Sequence, residues 1–131
     1  MPIIFRTYIT KEMMRDNSHW LFIFGDNASR SGYGGQAKVM RDESNSIGII
    51  TKRKPTMNED AFLLDEDVKY FIKKNRRTFV GLLFFILNGV TVVIPSDGIG
   101  TGYAELPIRA PKIFKILKLY IKFLYDIGKL V

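Results

Sequence analysis

Two glycine-rich segments, each following an apolar run of strand length, hold the residues of this chain that are best suited to ligand chemistry. The first covers residues 25–37 after the run 20–24, and the second covers residues 95–103 after the run 90–94. Most of the chain's glycines lie in them, namely Gly25, Gly32, Gly34, Gly35, Gly98, Gly100 and Gly102. Glycine accepts positive φ and lets a backbone N–H come close to a ligand. A strand, such a loop and then a helix present amide donors to an anion, so the segments predict a phosphate-bearing ligand such as a nucleotide.

The first segment opens with two polar residues, Asp26 and Asn27, directly after the apolar run. An Asn there can donate to a ribose or phosphate oxygen, and an Asp can accept from an amine or a hydroxyl. If the protein is an enzyme, we expect these two residues to be catalytic, with Asp97 of the second segment as a further candidate. The alternative for Asp26 and Asn27 is that both only cap the turn and the following helix, as Asx residues commonly do. Residues 32–35, Gly-Tyr-Gly-Gly, hold more glycines than a tight turn needs, which close approach of the backbone to a phosphate would explain.

The second segment has the spacing Gly98-x-Gly100-x-Gly102, which lacks the later glycine of the dinucleotide-binding fingerprint. No Gly-Lys-Ser/Thr occurs in the chain, which argues against an ordinary nucleotide triphosphatase. Tyr103 could stack on a ligand ring, hydrogen-bond a phosphate or cover the core; the core position is slightly favoured, and the residue is kept among the candidate ligand-binding residues. Lys52 adds a cation at a predicted strand end. The predicted ligand-binding residues are Gly32, Tyr33, Gly34, Gly35, Gln36, Thr51, Lys52, Asp97, Gly98, Ile99, Gly100, Thr101, Gly102 and Tyr103.

Length and composition predict one folded domain over residues 1–131, with 47% apolar and 25% charged residues. The chain has no cysteine, which excludes disulfides and thiolate chemistry, and its single histidine, His19, argues against a transition-metal site. No cofactor is predicted. The N-terminus lacks the layout of a secretion signal, and no apolar stretch reaches the ~20 residues of a membrane span. We therefore expect a cytoplasmic protein without a membrane partner.

The formal net charge of +7 comes from 20 basic and 13 acidic residues. An excess of basic residues favours anionic partners, but it does not distinguish a nucleotide from a nucleic acid as the partner. Much of the excess lies in residues 69–77 and in the series Lys112, Lys115, Lys118 and Lys122. The alternative interpretation of both clusters is a solvated helix face.

Hydrophobic periodicity predicts an α/β layered domain. Strands are predicted at residues 3–9, 20–24, 45–51 and 90–94, and helices at 35–41, 66–87 and 111–127. The second helix could bend near Asn75, and residues 11–18 are predicted to form a turn or a short helix. In such sheets ligands bind beyond the carboxyl ends of the strands, where both glycine segments would lie.

The order of the motifs resembles two known patterns. The phrases Phe24-Gly25-Asp26-Asn27, Gly34-Gly35-Gln36-Ala37, Thr51-Lys52 and Gly98-x-Gly100-Thr101-Gly102 are similar, over nearly the whole chain, to those of an uncharacterised bacterial and phage family. The order also resembles the macrodomain superfamily, especially the branch that removes ADP-ribose from nucleic acid. In that branch an Asn after an early strand precedes a Gly-Lys-Gly loop, and a late strand ends in a proline, here Pro95, before a glycine-rich phosphate loop.

The macrodomain resemblance implies a mixed sheet flanked by helices, in a compact version of that fold. ADP-ribose would lie across the loops, with its diphosphate on the late loop, its distal ribose against Asn27, and Asp26 helping to orient it. The lysine that this branch uses for chemistry has no counterpart here, because Tyr33 or Gly34 occupies its place. Lys52 could substitute for it.

These observations support three functional hypotheses. The first is a domain that binds ADP-ribose or a related nucleotide and that could hydrolyse ADP-ribosyl groups. The alternative is a non-enzymatic module that sequesters a nucleotide or binds nucleic acid. The third is an interaction domain whose glycines only make tight turns. The sequence does not determine the oligomeric state.

Overall fold

The computed structural model describes residues 2–131 and shows four strands that alternate with helices. In chain order, the elements of this range are β1 (Ile3–Arg6), α1 (Lys11–Asp16), β2 (Leu21–Asn27), α2 (Ala37–Met40), β3 (Ser46–Lys52), α3 (Val68–Leu87), β4 (Val92–Pro95), α4 (Leu106–Arg109) and α5 (Pro111–Gly128). Two short 3-10 turns, Glu59–Ala61 and Asp65–Asp67, lie between β3 and α3. The predicted long helix before β4 and the predicted C-terminal helix are confirmed as α3 and α5.

The strands form one sheet in the order β1-β4-β2-β3, and every adjacent pair is parallel. The prediction of an α/β domain with helices flanking a sheet is confirmed, whereas the prediction of a mixed sheet is wrong. Between successive strands, a helical crossover returns the chain to the edge where the preceding strand began. Such connections produce parallel neighbours.

Helices cover both faces of the sheet, so the core has two parts. Successive side chains of β2 point to opposite faces and join different parts. Ile23 points to the face covered by α3 and α5, where it joins a cluster that includes Leu82. Phe22 and Phe24 point to the other face and pack with Met40 of α2 and with Met14 of α1. Burial on both faces explains why residues 20–24 form a continuous apolar run.

Two strands end three residues away from their predicted ends, and one of these differences changes the site. β1 ends at Arg6 rather than at residue 9. β2 continues to Asn27, because it keeps pairing with β3, with a register shift between Asp26 and Asn27. The two predicted catalytic residues are therefore the last two residues of a strand rather than the start of a loop.

Asn75 lies inside α3, which is helical from Val68 to Leu87. Its side chain is fully buried and bonds to the edge strand β3: Oδ1 accepts from the backbone N–H of Ile50 at 2.7 Å, and Nδ2 donates to the carbonyl of Ile50 at 2.9 Å. These are the two bonds that a further strand would make, so Asn75 satisfies backbone groups that would otherwise be buried without partners. This contact fixes β3 directly before Thr51, which lines the site.

Candidate ligand-binding cleft

The carboxyl edge of the sheet opens into a cleft of about 690 Å³. Its walls are the ends of β2 and β3, the first loop (residues 28–36) and the second loop (residues 96–105). Small-molecule sites in proteins usually have volumes of roughly 300–1,000 Å³. Both glycine-rich segments thus meet in one concavity of the size that a nucleotide needs.

Most of the predicted site residues line this cleft. Both predicted catalytic residues do, and so do the predicted ligand-binding residues Gly32, Gly34, Gly35, Gln36, Thr51, Lys52, Asp97, Gly100, Thr101, Gly102 and Tyr103. Cleft residues that were not predicted include Ser31, Arg41, Pro55, Met57 and Ala104. The sequence indicates these residues only through their position, since they lie near the two glycine-rich segments or near Thr51-Lys52.

Three predicted ligand-binding residues lie outside the cleft lining. Ile99 is 1% exposed and belongs to the hydrophobic core. The side chain of Tyr33 is exposed, and its hydroxyl donates to Oδ2 of Asp42 at 2.6 Å. Gly98 does not line the cleft, and its backbone carbonyl accepts a hydrogen bond from the side chain of Gln36.

Gln36 joins the two loops. Its Oε1 accepts from the backbone N–H of Gly25 at 2.9 Å, and its Nε2 donates to the carbonyl of Gly98 at 2.9 Å. One side chain therefore ties the end of β2, the first loop and the second loop together. Gln36 was predicted to contact the ligand, and the structure shows that both ends of its amide hold the walls of the cleft.

The glycines of the second loop have different environments. Gly100 has φ +80°, and a Cβ there would lie 2.5 Å from Cδ1 of Leu106, so the fold requires glycine at this position. The backbone N of Gly100 would also lie 3.4 Å from a Cβ on Gly25, which shows how closely the second loop approaches β2. A Cβ on Gly102, in contrast, would meet no atom within 4 Å. Gly102 lines the cleft next to open space.

Tyr103 is 61% exposed and lines the cleft, so the prediction that it covers the core is wrong. A Cβ on Gly34 or on Gly35 would lie 3.4 Å from its ring. Glycines at these two positions let the ring approach the first loop. Close packing of Tyr103 is thus a second explanation for the glycines of residues 32–35, beside close approach of the backbone to a phosphate.

Asp26 forms ion pairs with two arginines, Arg30 in the first loop and Arg41 directly after α2. Its buried carboxylate accepts from the guanidinium of Arg41 at 2.5 Å and from that of Arg30 at 3.1 Å. A Cβ on Gly48 of the neighbouring strand would lie 2.6 Å from Oδ2 of Asp26, so glycine at 48 makes room for this ion pair. An isolated glycine within a strand is a recognised sign of such a close approach.

Asn27 and Arg41 fix the shape of the first loop. Asn27 Nδ2 donates to the carbonyl of Ser31 at 2.8 Å, and its Oδ1 accepts from the N–H of Ser29 at 3.0 Å. Arg41 Nε donates to the carbonyl of Gly32 at 2.6 Å. The capping alternative for Asn27 is what these contacts show, although one amide proton and further lone pairs of Asn27 remain for a ligand.

Lys52 is the last residue of β3 and is only 6% exposed. Its ammonium donates to the carbonyl of Thr56 at 2.5 Å, contacts Sδ of Met57 at 3.6 Å, and lies 4.6 Å from the ring centroid of Phe62. Burial lowers the pKa of Lys52, and the positive charge of Arg109 lowers it further, whereas Glu105 opposes the shift.

Within residues 2–131, no three His, Cys, Asp or Glu side chains are grouped so that they could hold a metal ion. In the same range, no helix combines the length and the apolar character that crossing a membrane requires. The residues that line the cleft include polar, charged and aromatic side chains that could contact a ligand, among them Asn27, Lys52, Asp97 and Tyr103.

No curated protein and no solved structure matches this chain. A family of unknown function, DUF7831, matches residues 4–119, a range that includes both loops and every residue lining the cleft. The chain therefore belongs to DUF7831.

Proposed function

We propose that the cleft binds ADP-ribose or a related nucleotide. The observation that carries this proposal is the meeting of two glycine-rich loops at the carboxyl edge of a parallel sheet, where Gln36 links them. Ligands of open α/β sheets bind at this edge. Backbone N–H groups that follow a strand and precede a helix are suited to phosphate oxygens.

The resemblance to macrodomains supports the choice of ADP-ribose among nucleotides. The second loop, through Gly100 and Gly102, would take the diphosphate, and Asn27 would approach the distal ribose. The exposed ring of Tyr103 offers a surface on which a base or a sugar can pack. A compact, macrodomain-like arrangement of the site is part of this proposal.

We expect calorimetric titration with ADP-ribose to give saturable binding heat, with weaker or no heat for ATP and NAD. The distinction arises because only ADP-ribose combines the diphosphate with an unblocked distal ribose. An absence of heat with all three compounds would contradict the proposal.

Binding is better supported than turnover. Hydrolysis would require a group that activates water at the anomeric carbon, and the carboxylate of Asp26 is already bound by Arg30 and Arg41. The remaining candidates are Asn27, which has free hydrogen-bonding capacity, and Asp97, whose exposed carboxylate forms no ion pair within residues 2–131. Incubation with ADP-ribosylated DNA or protein distinguishes binding with hydrolysis from binding alone, because a hydrolase releases ADP-ribose and a binding module does not.

The distribution of charge favours nucleic acid as a second candidate partner. The helices α3 and α5 carry nine Lys and Arg side chains and one acidic residue, Asp126, whereas the net charge of the whole chain is +7. The basic residues occupy 69–77, in the N-terminal half of α3, and 112–122, the first two thirds of α5. The chain leaves the carboxyl end of β3 before α3 and the carboxyl end of β4 before α5, so the starts of both helices lie toward the edge that holds the cleft.

We expect single-stranded DNA to bind with an affinity that falls steeply as salt rises, because Lys and Arg displace counterions from phosphates. Replacing Lys112 and Lys115 by Gln should reduce both the affinity and the salt slope, as measured by fluorescence anisotropy. Lys11 and Lys38, on the opposite face of the sheet, provide the control set. An equal effect of both sets would indicate net charge alone and not a binding surface.

A further inference from the structure

Lys52 differs from the other buried charged groups at the cleft. Asp26 and Arg41 neutralise each other, with a shortest N–O distance of 2.5 Å. For Lys52, the described residues contain no carboxylate oxygen within 4.0 Å of the ammonium, although the residue is 6% exposed. Glu105 acts on it from a greater distance and is itself bound to Arg109 at 2.9 Å.

The partners that Lys52 does have leave part of its hydrogen-bonding capacity unused. An ammonium has three N–H donors. One donates to the carbonyl of Thr56, and another faces the weakly accepting sulfur of Met57. Phe62 attracts the charge through its ring but accepts no ordinary hydrogen bond. Since Lys52 and Met57 both line the cleft, the third donor can be satisfied by a group that enters it.

A buried charge without a countercharge reduces the stability of a fold, because it loses hydration that no partner replaces. A methionine at this position would pack against Met57 and Phe62 without that penalty. Within the fold, the contacts with Thr56 and Phe62 are the reasons for a cation at residue 52, and neither supplies a countercharge. An anion bound in the cleft would supply one.

We propose that Lys52 supplies the positive charge that neutralises a phosphate group of the ligand. The proposal rests on the proposed function, since it assumes that a phosphate-bearing ligand occupies the cleft. It deepens that function by assigning a side-chain countercharge at the end of β3 in addition to the backbone amides of the second loop.

The test replaces Lys52 by Met and measures thermal stability and binding together. We expect an unchanged or raised Tm, because the uncompensated charge is removed, and an affinity for ADP-ribose about ten- to a hundredfold lower, as for a lost charged hydrogen bond. Lys54→Met is the matched control, because Lys54 lies on the same connection but is exposed and paired with Asp60. It removes the same charge and should leave the affinity within about twofold.

Inorganic pyrophosphate, titrated in parallel, distinguishes failure of this inference from failure of the proposed function. Binding of pyrophosphate but not of ADP-ribose, lost in Lys52→Met, would refute the nucleotide proposal and support the assignment of Lys52. Equal affinities of the wild type and Lys52→Met would overturn the assignment. So would a lowered Tm with unchanged affinity, which would show that the lysine only braces the 53–57 connection. Absence of binding to either compound would overturn both.

Discussion

Gly102→Leu should abolish nucleotide binding and leave the stability of the protein nearly unchanged. A Cβ at this position meets no atom within 4 Å, and the backbone does not have positive φ, so the fold can accept a side chain. Because Gly102 lines the cleft, an isobutyl group there would occupy space that the ligand needs. We expect more than a hundredfold loss of affinity for ADP-ribose in calorimetry, with a Tm within about 2 °C of the wild type.

Two other glycines make this experiment specific. A Cβ on Gly81 in α3 would also meet no atom within 4 Å, but Gly81 lies outside the cleft, so Gly81→Leu controls for the size of the substitution. Gly100→Leu should unfold the protein, since its Cβ would clash with Leu106 in a left-handed backbone. Wild-type affinity in Gly102→Leu would favour the hypothesis that the glycines only make tight turns.

The fold was predictable where one physical signal dominated. Residues 111–127 combine a proline at the first turn with a one-sided apolar pattern, and α5 has nearly those bounds. The long apolar segment before β4 was correctly predicted to be one helix, because its length exceeds that of a strand. The mixed sheet was implied by the macrodomain resemblance and not by the order of the elements, since helices between successive strands favour parallel neighbours.

The cleft was predictable in location but not in the roles of its residues. Glycine loops after apolar runs indicated the carboxyl edge of the sheet, and most of the predicted residues line one cavity there. What Asp26 and Gln36 do depends on partners distant in sequence, since Asp26 binds Arg41 and Gln36 binds Gly98. For Tyr103 the sequence left both positions open, because an aromatic residue after an apolar strand is as compatible with a core position as with a cleft wall.

Asp26→Asn should reduce the free energy of unfolding by about 3–5 kcal/mol, because it leaves the guanidinium of Arg41 without its countercharge. The Asp26 side chain is 2% exposed and that of Arg41 is 11% exposed, so water cannot fully replace the lost partner. Since small domains are stable by about 5–15 kcal/mol in total, urea unfolding should show a large shift of the midpoint.

Asp97→Asn is the control for Asp26→Asn, since Asp97 also lines the cleft but is exposed and, within residues 2–131, forms no ion pair. We expect it to change the free energy of unfolding by less than about 0.5 kcal/mol. The comparison also decides the role of Asp26. Equal stability of the two variants, with binding or turnover lost in Asp26→Asn, would contradict the structural role of Asp26 and identify it as a carboxylate that acts on the ligand. A large loss of stability confined to Asp26→Asn would mean that this residue holds the first loop in the shape on which the cleft depends.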